Sequence, residues 1–150
     1  MIEVAEIFIS NDAAYLAVLG KTEVGFFLEI DAPIRSDLTV VSLTEALRKV
    51  VGIGNPFVRH PPQSELDRTT PIQKALGMRS WRKMAQVGVI RCAIWWTSEN
   101  IVVAFSPRQT RDIQDTDFSS QRRLPPDTPL QTIAEIILTE VSDRRAGDAG

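Results

Sequence analysis

The residue types that most often perform catalysis are sparse in this sequence. His60 is the only histidine, and it lies beside Pro61 in a segment rich in proline. Cys92, the one cysteine, lies in an apolar run, away from any predicted helix N-terminus that would lower its pKa. A Ser-His-Asp or Cys-His mechanism would therefore depend on His60 alone. We expect a surface histidine and a small buried cysteine, and we predict no catalytic residues.

Carboxylates are the other candidates for chemistry. Glu29 and Asp31 alternate onto one face of a predicted strand, and they could act as acid and base only if burial separated their pKa values. Asp112, Asp115 and Asp117 supply hard oxygen atoms, but their spacing lacks the pattern and the bidentate glutamate of an EF-hand. The sequence therefore predicts no metal site and no cofactor.

The composition is that of one globular domain. The chain has 150 residues, of which 43% are hydrophobic and 24% charged. A single cysteine cannot form an internal disulfide, which favours a reducing compartment. The first residues lack the basic charge and cleavage site of a secretory signal, and no apolar run approaches the roughly 18 residues of a membrane helix. We expect a cytoplasmic protein.

The charge of the chain is unevenly distributed. The net charge is −2, yet residues 1–45 hold eight acidic and two basic residues, whereas residues 59–91 hold seven basic and two acidic ones. The acidic balance argues against general binding to a phosphate backbone. Two interpretations remain open: solvated faces whose partners lie elsewhere in the fold, or an acidic surface that steers a basic protein partner.

The first half of the chain contains strand and helix signals. Residues 2–10 and 24–30 are rich in β-branched and aromatic side chains, which predicts strands, and residues 14–19 allow either a strand or a short helix. Ser42 and Glu45 have the spacing of a capping box, so a helix is expected to follow.

Proline and capping residues dominate the middle of the chain. Residues 55–68 contain three prolines and are predicted to be a loop, long enough for a binding role. Thr70, Pro71 and Gln73 form the pattern of a capped helix start, and Ser80 can cap the next helix.

Residues 89–97 and 101–105 predict a β-hairpin with a short polar turn. Trp95 falls on the half-polar face beside Arg91, where it either packs under a helix or is exposed as an interaction anchor. The opposite, core face of the first strand carries Ile90, Cys92, Ile94 and Trp96.

The C-terminal third predicts a last strand over residues 118–124 and an amphipathic helix that Thr128 caps. Residues 144–150 have little to bury and are expected to be disordered. The predicted fold is α+β: one domain over residues 1–143, with a central, mostly antiparallel sheet and three or four packed helices.

Four motifs follow one another between residues 79 and 141: Ser80-Trp81 opening a helix, the hairpin end Ile101 to Pro107, Phe118 after a polar loop, and Leu124-Pro125-Pro126-Asp127-Thr128 before a helix with Ile133-Ala134. This order resembles the immunity proteins of bacterial contact-dependent growth inhibition systems, the CdiI family. The resemblance implies a small protein that binds and neutralises the C-terminal toxin domain, often a nuclease, of a cognate CdiA-type protein. It implies no catalysis, and toxin-contacting residues vary within such systems, so none is transferred by motif.

The contact residues are therefore predicted from their chemistry. A nuclease is usually basic around its active site, so an acidic inhibitor gains association rate and specificity from complementary charge. The predicted toxin-binding residues are Glu23, Glu29, Asp31, Asp112, Asp115, Asp117 and Trp95, with Phe57 as a second aromatic anchor. We expect no direct nucleic-acid contact, no membrane contact, and a monomer or homodimer.

Two alternatives belong to other functional classes. A small enzyme or ligand-binding domain would use the proline-rich loop around His60, and replacing that histidine would abolish its activity. A nucleic-acid-binding module would use Arg79, Arg82, Lys83 and Arg91, and its affinity would fall steeply with salt.

Overall fold

Seven strands among the described residues form a single sheet, the framework of the fold. The computed structural model describes residues 1–66, 68–114, 118 and 120–149. The strands run antiparallel in the order β3-β2-β1-β5-β6-β7, and β4 adds to β2 in parallel. Their bounds are β1 Val4–Ile9, β2 Ala13–Thr22, β3 Phe27–Asp37, β4 Phe57–Val58, β5 Ile90–Trp96, β6 Ile101–Phe105 and β7 Ser120–Leu124.

Helices cover both faces of this sheet. The two long helices pack against each other over one face, and α3 and α4 contribute to the apolar cluster on the other. The bounds are α1 Val40–Ile53, α2 Gln63–Leu66, α3 Pro71–Leu76, α4 Trp81–Gln86 and α5 Leu130–Ala149. The predicted α+β domain with a mostly antiparallel sheet is confirmed. The sequence predicts three or four helices, and the described residues contain five, of which α2 is a single turn. No helix in the described part of the chain is long and apolar enough to span a membrane.

The alternation of side chains in β5 divides the core into two clusters. Ile90, Cys92 and Ile94 face the larger cluster beneath α1 and α5. Trp95 packs on the smaller cluster, which includes Ile72 of α3. Because successive side chains of a strand point to opposite faces, the predicted hairpin fixes this division, and the structure confirms it.

The strand predicted over residues 24–30 is displaced in the structure. Residues 22–26 form a turn, and β3 begins at Phe27 and continues through Pro33 to Asp37. The prediction ended the strand before Pro33, but β3 lies at the edge of the sheet, where a proline interrupts no ladder on its free side. Residues 14–19, open between strand and helix, belong to β2.

Helix starts were predicted with mixed success. Thr70 and Gln73 form the expected capping box of α3, and Ser80 caps α4. The predicted box at Ser42 is wrong: α1 begins at Val40, and the Thr39 hydroxyl accepts from the Ser42 amide at 3.2 Å. Glu45 pairs with Arg48 instead. The box requires a residue just outside the helix, whereas Ser42 already lies in the first turn.

The predicted cap of α5 also differs in the structure. The Thr128 hydroxyl donates to the Pro125 carbonyl at 2.7 Å, which closes the turn before the helix. The helix then begins at Leu130.

The C-terminal helix is longer than expected. α5 continues to Ala149, so the prediction of a disordered tail from residue 144 is wrong for residues 144–149. Arg144 is buried and its Nη2 donates to the Ser106 carbonyl at 2.6 Å, which attaches this part of α5 to the loop after β6. The tail has no apolar residue larger than alanine, and a charged side chain provides its contact instead.

Candidate partner-binding surface

The turn between β2 and β3 projects two apolar side chains from one end of the sheet. The Thr22 amide donates to the Phe26 carbonyl at 2.8 Å, and the Gly25 amide donates back to Thr22 at 3.0 Å. Gly25 has a φ of 88°, a conformation that side chains other than glycine rarely adopt. This tight turn leaves Val24 and Phe26 outside the core, where they are exposed.

Asn55 brings the proline-rich segment to the same end of the sheet. Its Oδ1 accepts from the amides of Glu3 at 2.6 Å and Val4 at 3.0 Å. Its Nδ2 donates to the carbonyls of Val4 at 3.0 Å and Leu19 at 3.2 Å. With all four bonds made, Asn55 fixes the start of a segment that the sequence predicts only as a loop, and β4 follows it.

β4 approaches β2 closely at Gly20. A Cβ on Gly20 would lie 2.9 Å from both the Ile30 and the Val58 side chains, so only glycine lets them meet there. On the other side of this short strand, Phe57 is the cross-strand neighbour of Lys21. The glycine thus permits β4 to place Phe57 beside the β2–β3 turn.

Exposed apolar side chains concentrate at this end of the sheet. Val24, Phe26, Ile30 and Phe57 are 57%, 61%, 39% and 72% exposed, and they are four of the eight large apolar side chains exposed among the described residues. We call these four side chains, with Glu23, the hairpin-end surface, which includes both sides of β4, since Ile30 lies on the Val58 side and Phe57 on the other. Such a concentration of apolar side chains marks an interaction site more often than scattered ones do.

Glu23 is oriented by the segment it faces. The His60 amide donates to its Oε2 at 2.8 Å. Hydrogen bonds from the Glu23 backbone and then from the His60 backbone lower the pKa of the Glu23 carboxyl. The His60 ring lies 5.9 Å from the Phe26 ring. Glu23 is therefore an exposed carboxylate held in place beside an exposed aromatic ring, as a contact for a basic partner requires.

Glu29 and Asp31 have different surroundings. The Ile72 amide donates to the half-buried Glu29 at 2.7 Å, so this carboxylate supports the start of α3. Burial raises the pKa of Glu29, against the opposing effect of hydrogen bonds from the Ile72 amide and the Thr70 side chain. Asp31 is exposed and accepts from the Ala32 amide at 2.8 Å.

The other predicted contacts lie elsewhere in the fold. Asp112 is half-buried in the loop after β6, and its Oδ1 accepts from the Gln114 amide at 2.9 Å. That loop is joined to α4, since the Ile113 amide donates to the Trp81 carbonyl. Asp115 and Asp117 lie outside the described residues. The structure thus places Asp112 away from the acidic residues of the β3 edge.

Trp95 is packed against the protein and is not exposed as an interaction anchor. Its ring is half-buried and meets the edge of the Phe118 ring at 5.5 Å. Phe57, the second aromatic candidate, is the more accessible of the two.

The predicted basic group is divided by burial. Arg79, Arg82 and Lys83 are exposed around α4. Arg91 is half-buried, bonds to Glu6 and lies 5.4 Å from the Phe118 ring. A nucleic-acid surface built on all four residues would therefore lack the guanidinium of Arg91.

A small enzyme or ligand-binding domain that uses His60 would need a cavity that His60 lines. A cavity lies near this residue, but His60 does not line it. A cavity of about 310 Å³ is lined by Glu29, Arg59, Arg68 and neighbouring residues, and His60 is not part of its wall.

Cys92 is fully buried, which raises the pKa of its thiol. In the described ranges, no three His, Cys, Asp or Glu side chains converge as metal ligands.

The fold resembles that of a solved protein whose function is unknown. No family model matches the chain, and no curated protein matches it. Its fold is similar to that of a protein of unknown function from Neisseria meningitidis, with a TM-score of 0.57, 14% sequence identity and 89% of each chain covered. At this identity the likeness concerns the fold alone.

Proposed function

We propose that the protein is an immunity protein of the CdiI type that binds and neutralises the C-terminal toxin domain of a cognate CdiA-type protein, with the hairpin-end surface as its main contact. The order of motifs over residues 79–141 supports the type of partner. The observation that carries the choice of surface is the exposure of two aromatic rings, Phe26 on the β2–β3 turn and Phe57 on β4, the strand that pairs with the end of β2.

Two physical effects support this choice. Aromatic side chains dominate the energetics of protein interfaces because they bury a large apolar area at a small cost in conformational entropy. Here the turn and β4 fix the backbone of both residues before any partner arrives, so little further ordering of the backbone is needed on binding.

Charge has a secondary role at this surface. Glu23 is exposed there and Asp31 is exposed on β3, but Arg59 is exposed as well, and Lys21 forms an ion pair with Glu3 at 2.9 Å. Fixed carboxylates at the rim of an interface mainly change association rate and salt dependence. We therefore expect moderate weakening of the complex with salt, and a binding energy carried chiefly by the aromatic rings.

Calorimetry with the toxin domain encoded immediately upstream tests the proposal. Replacing Phe26 or Phe57 by alanine is expected to weaken binding about tenfold or more each, as truncation of interface anchors does. Val41→Ala is the matched control, because Val41 is 78% exposed on α1, outside this surface.

Two results would contradict the proposal in different ways. Absence of wild-type binding at micromolar concentration would reject the assignment to this partner. Tight wild-type binding that neither phenylalanine variant weakens would keep the partner and reject the hairpin-end surface.

A further inference from the structure

A small, partly open cavity lies at the end of the sheet opposite the hairpin-end surface. Its volume is about 190 Å³, and its wall is formed by the end of β1, the connection before β5, the loop after β6 and the last turns of α5. Three guanidinium side chains line it: Arg108, Arg144 and Arg145. Like charges brought together in a partly enclosed space repel one another unless an anion joins them.

Arg144 is held in place by contacts on several sides. It is 7% exposed, its Nη2 donates to the Ser106 carbonyl at 2.6 Å, and its guanidinium lies 5.9 Å from the Phe105 ring. Its Nε donates to Glu140 at 3.2 Å, so one carboxylate offsets part of the positive charge. A guanidinium has five N–H donors, and these two bonds leave others for a ligand.

Of the remaining two arginines, Arg145 is bonded to backbone carbonyls, and Arg108 is an exposed residue whose side chain lies beside Gly147. The Nη2 of Arg145 donates to the carbonyls of Ser10 at 2.9 Å and Asn11 at 3.0 Å. The Nη1 of Arg108 lies 3.1 Å from the place that a Cβ on Gly147 would occupy. Arg108 therefore uses the space that glycine leaves beside α5.

We propose that this cavity is a binding site for a small oxyanion of the phosphate class, either the free ion or a terminal phosphate group. Planar guanidinium groups match the geometry of phosphate oxygens. The three that line this cavity supply both positive charge and hydrogen-bond donors. Sites for drug-sized ligands measure roughly 300–1,000 Å³. At about 190 Å³, this cavity suits a group of the size of phosphate. The site is separate from the proposed toxin contact and does not depend on it.

Titration of the full chain with inorganic phosphate tests the site, with ionic strength held constant by chloride. We expect saturable binding by calorimetry and a matching rise in Tm for the wild type. Arg108→Gln is expected to weaken binding about tenfold, the usual loss for a charge-assisted hydrogen bond. Arg82→Gln is the control, because Arg82 is exposed on α4 and absent from the cavity.

Gly147→Ala is expected to change stability and phosphate binding in opposite directions. Alanine favours a helix more than glycine does, so stability without phosphate should rise. The added Cβ crowds Arg108, so phosphate binding should weaken. A variant that folds better and binds phosphate less well separates damage to the site from damage to the fold.

A nucleoside 5′-monophosphate distinguishes the two sources of the anion. Binding that depends on Arg108 assigns the site to a terminal phosphate group, and binding of inorganic phosphate alone assigns it to the free ion. Failure of both probes overturns the proposal. An equal Tm rise in the wild type and Arg108→Gln does so as well, since that is the general stabilising effect of phosphate salts.

Discussion

Glu29 illustrates how one distant contact changes the role of a residue. In sequence, it is one of several acids that could face a basic partner. In the structure, the amide of Ile72, 43 positions away, donates to its carboxylate at 2.7 Å. The carboxylate therefore offsets unpaired amides at the start of α3, together with the Thr70 hydroxyl, which accepts from Gln73. Glu29 therefore stabilises the start of α3, and its carboxylate is not free to contact a basic partner.

The pKa of Glu29 predicts a pH dependence of stability. Burial raises this pKa above the ordinary value of 4.5, so between the two values the folded chain binds more protons than the unfolded chain. The free energy of unfolding supplied by this group is complete below pH 4.5 and is lost as pH rises through the folded pKa. Glu29→Gln keeps an acceptor for the Ile72 amide and cannot ionise. We expect the stability of the variant relative to the wild type to increase with pH across this window.

Urea denaturation at a series of pH values measures that difference. Glu99→Gln is the matched control, because Glu99 is exposed in the turn between β5 and β6. A relative stability of Glu29→Gln that stays constant or falls with rising pH would contradict the assignment.

At the scale of the elements, two residues can be compared as the N-cap of α1: Thr39, which caps it in the structure, and Ser42, which the sequence predicts. Thr39→Ala removes the oxygen that accepts from the Ser42 amide and is expected to cost about 1 kcal/mol of unfolding free energy. Ser42→Ala keeps that amide and should have a much smaller effect. Chemical denaturation of the two variants decides between them, and a larger loss for Ser42→Ala would restore the capping box predicted from the sequence.

Elements set by local chemistry were predictable from the sequence. The β5–β6 hairpin follows from alternation and a short polar turn, and α3 follows from Thr70, Pro71 and Gln73. β3 was displaced because its continuation through Pro33 depends on its place at the edge of the sheet. β4 was missed because its position depends on Asn55 and on the space above Gly20, both tertiary features.

The candidate surface was predicted only in part, for the same reason. Glu23, Asp31 and Phe57 could be named from their residue types, and all three are exposed. Exposure of Phe26 could not be foreseen, because residues 24–30 were predicted as one strand and Gly25 instead makes a turn there. Trp95 was open between two states, and its contact with Phe118 depends on a loop whose path carries no periodic signal.

At the scale of the whole molecule, the two ends of the sheet have different chemistry. The hairpin-end surface is apolar with a fixed carboxylate, and at the opposite end three arginines, of which only Arg144 is buried, line a cavity. α5 contributes to the second end through its last turns, where Arg144 and Arg145 hold the loop after β6 and the β1–β2 turn. The sequence predicts no contact for this helix end, yet it joins two connections of the sheet.

Shortening the chain tests this role of α5. A chain ending at Asp143 loses both arginines and leaves the buried Ser106 carbonyl without the Arg144 donor, so we expect a loss of at least about 2 kcal/mol in unfolding free energy. A chain ending at Ala146 keeps both arginines and should remain close to the full chain. Urea denaturation of the three chains measures the difference. Equal stability of all three would mean that residues 144–149 contribute nothing to the fold, as the sequence alone predicted, and the arginine contacts would then carry no net energy.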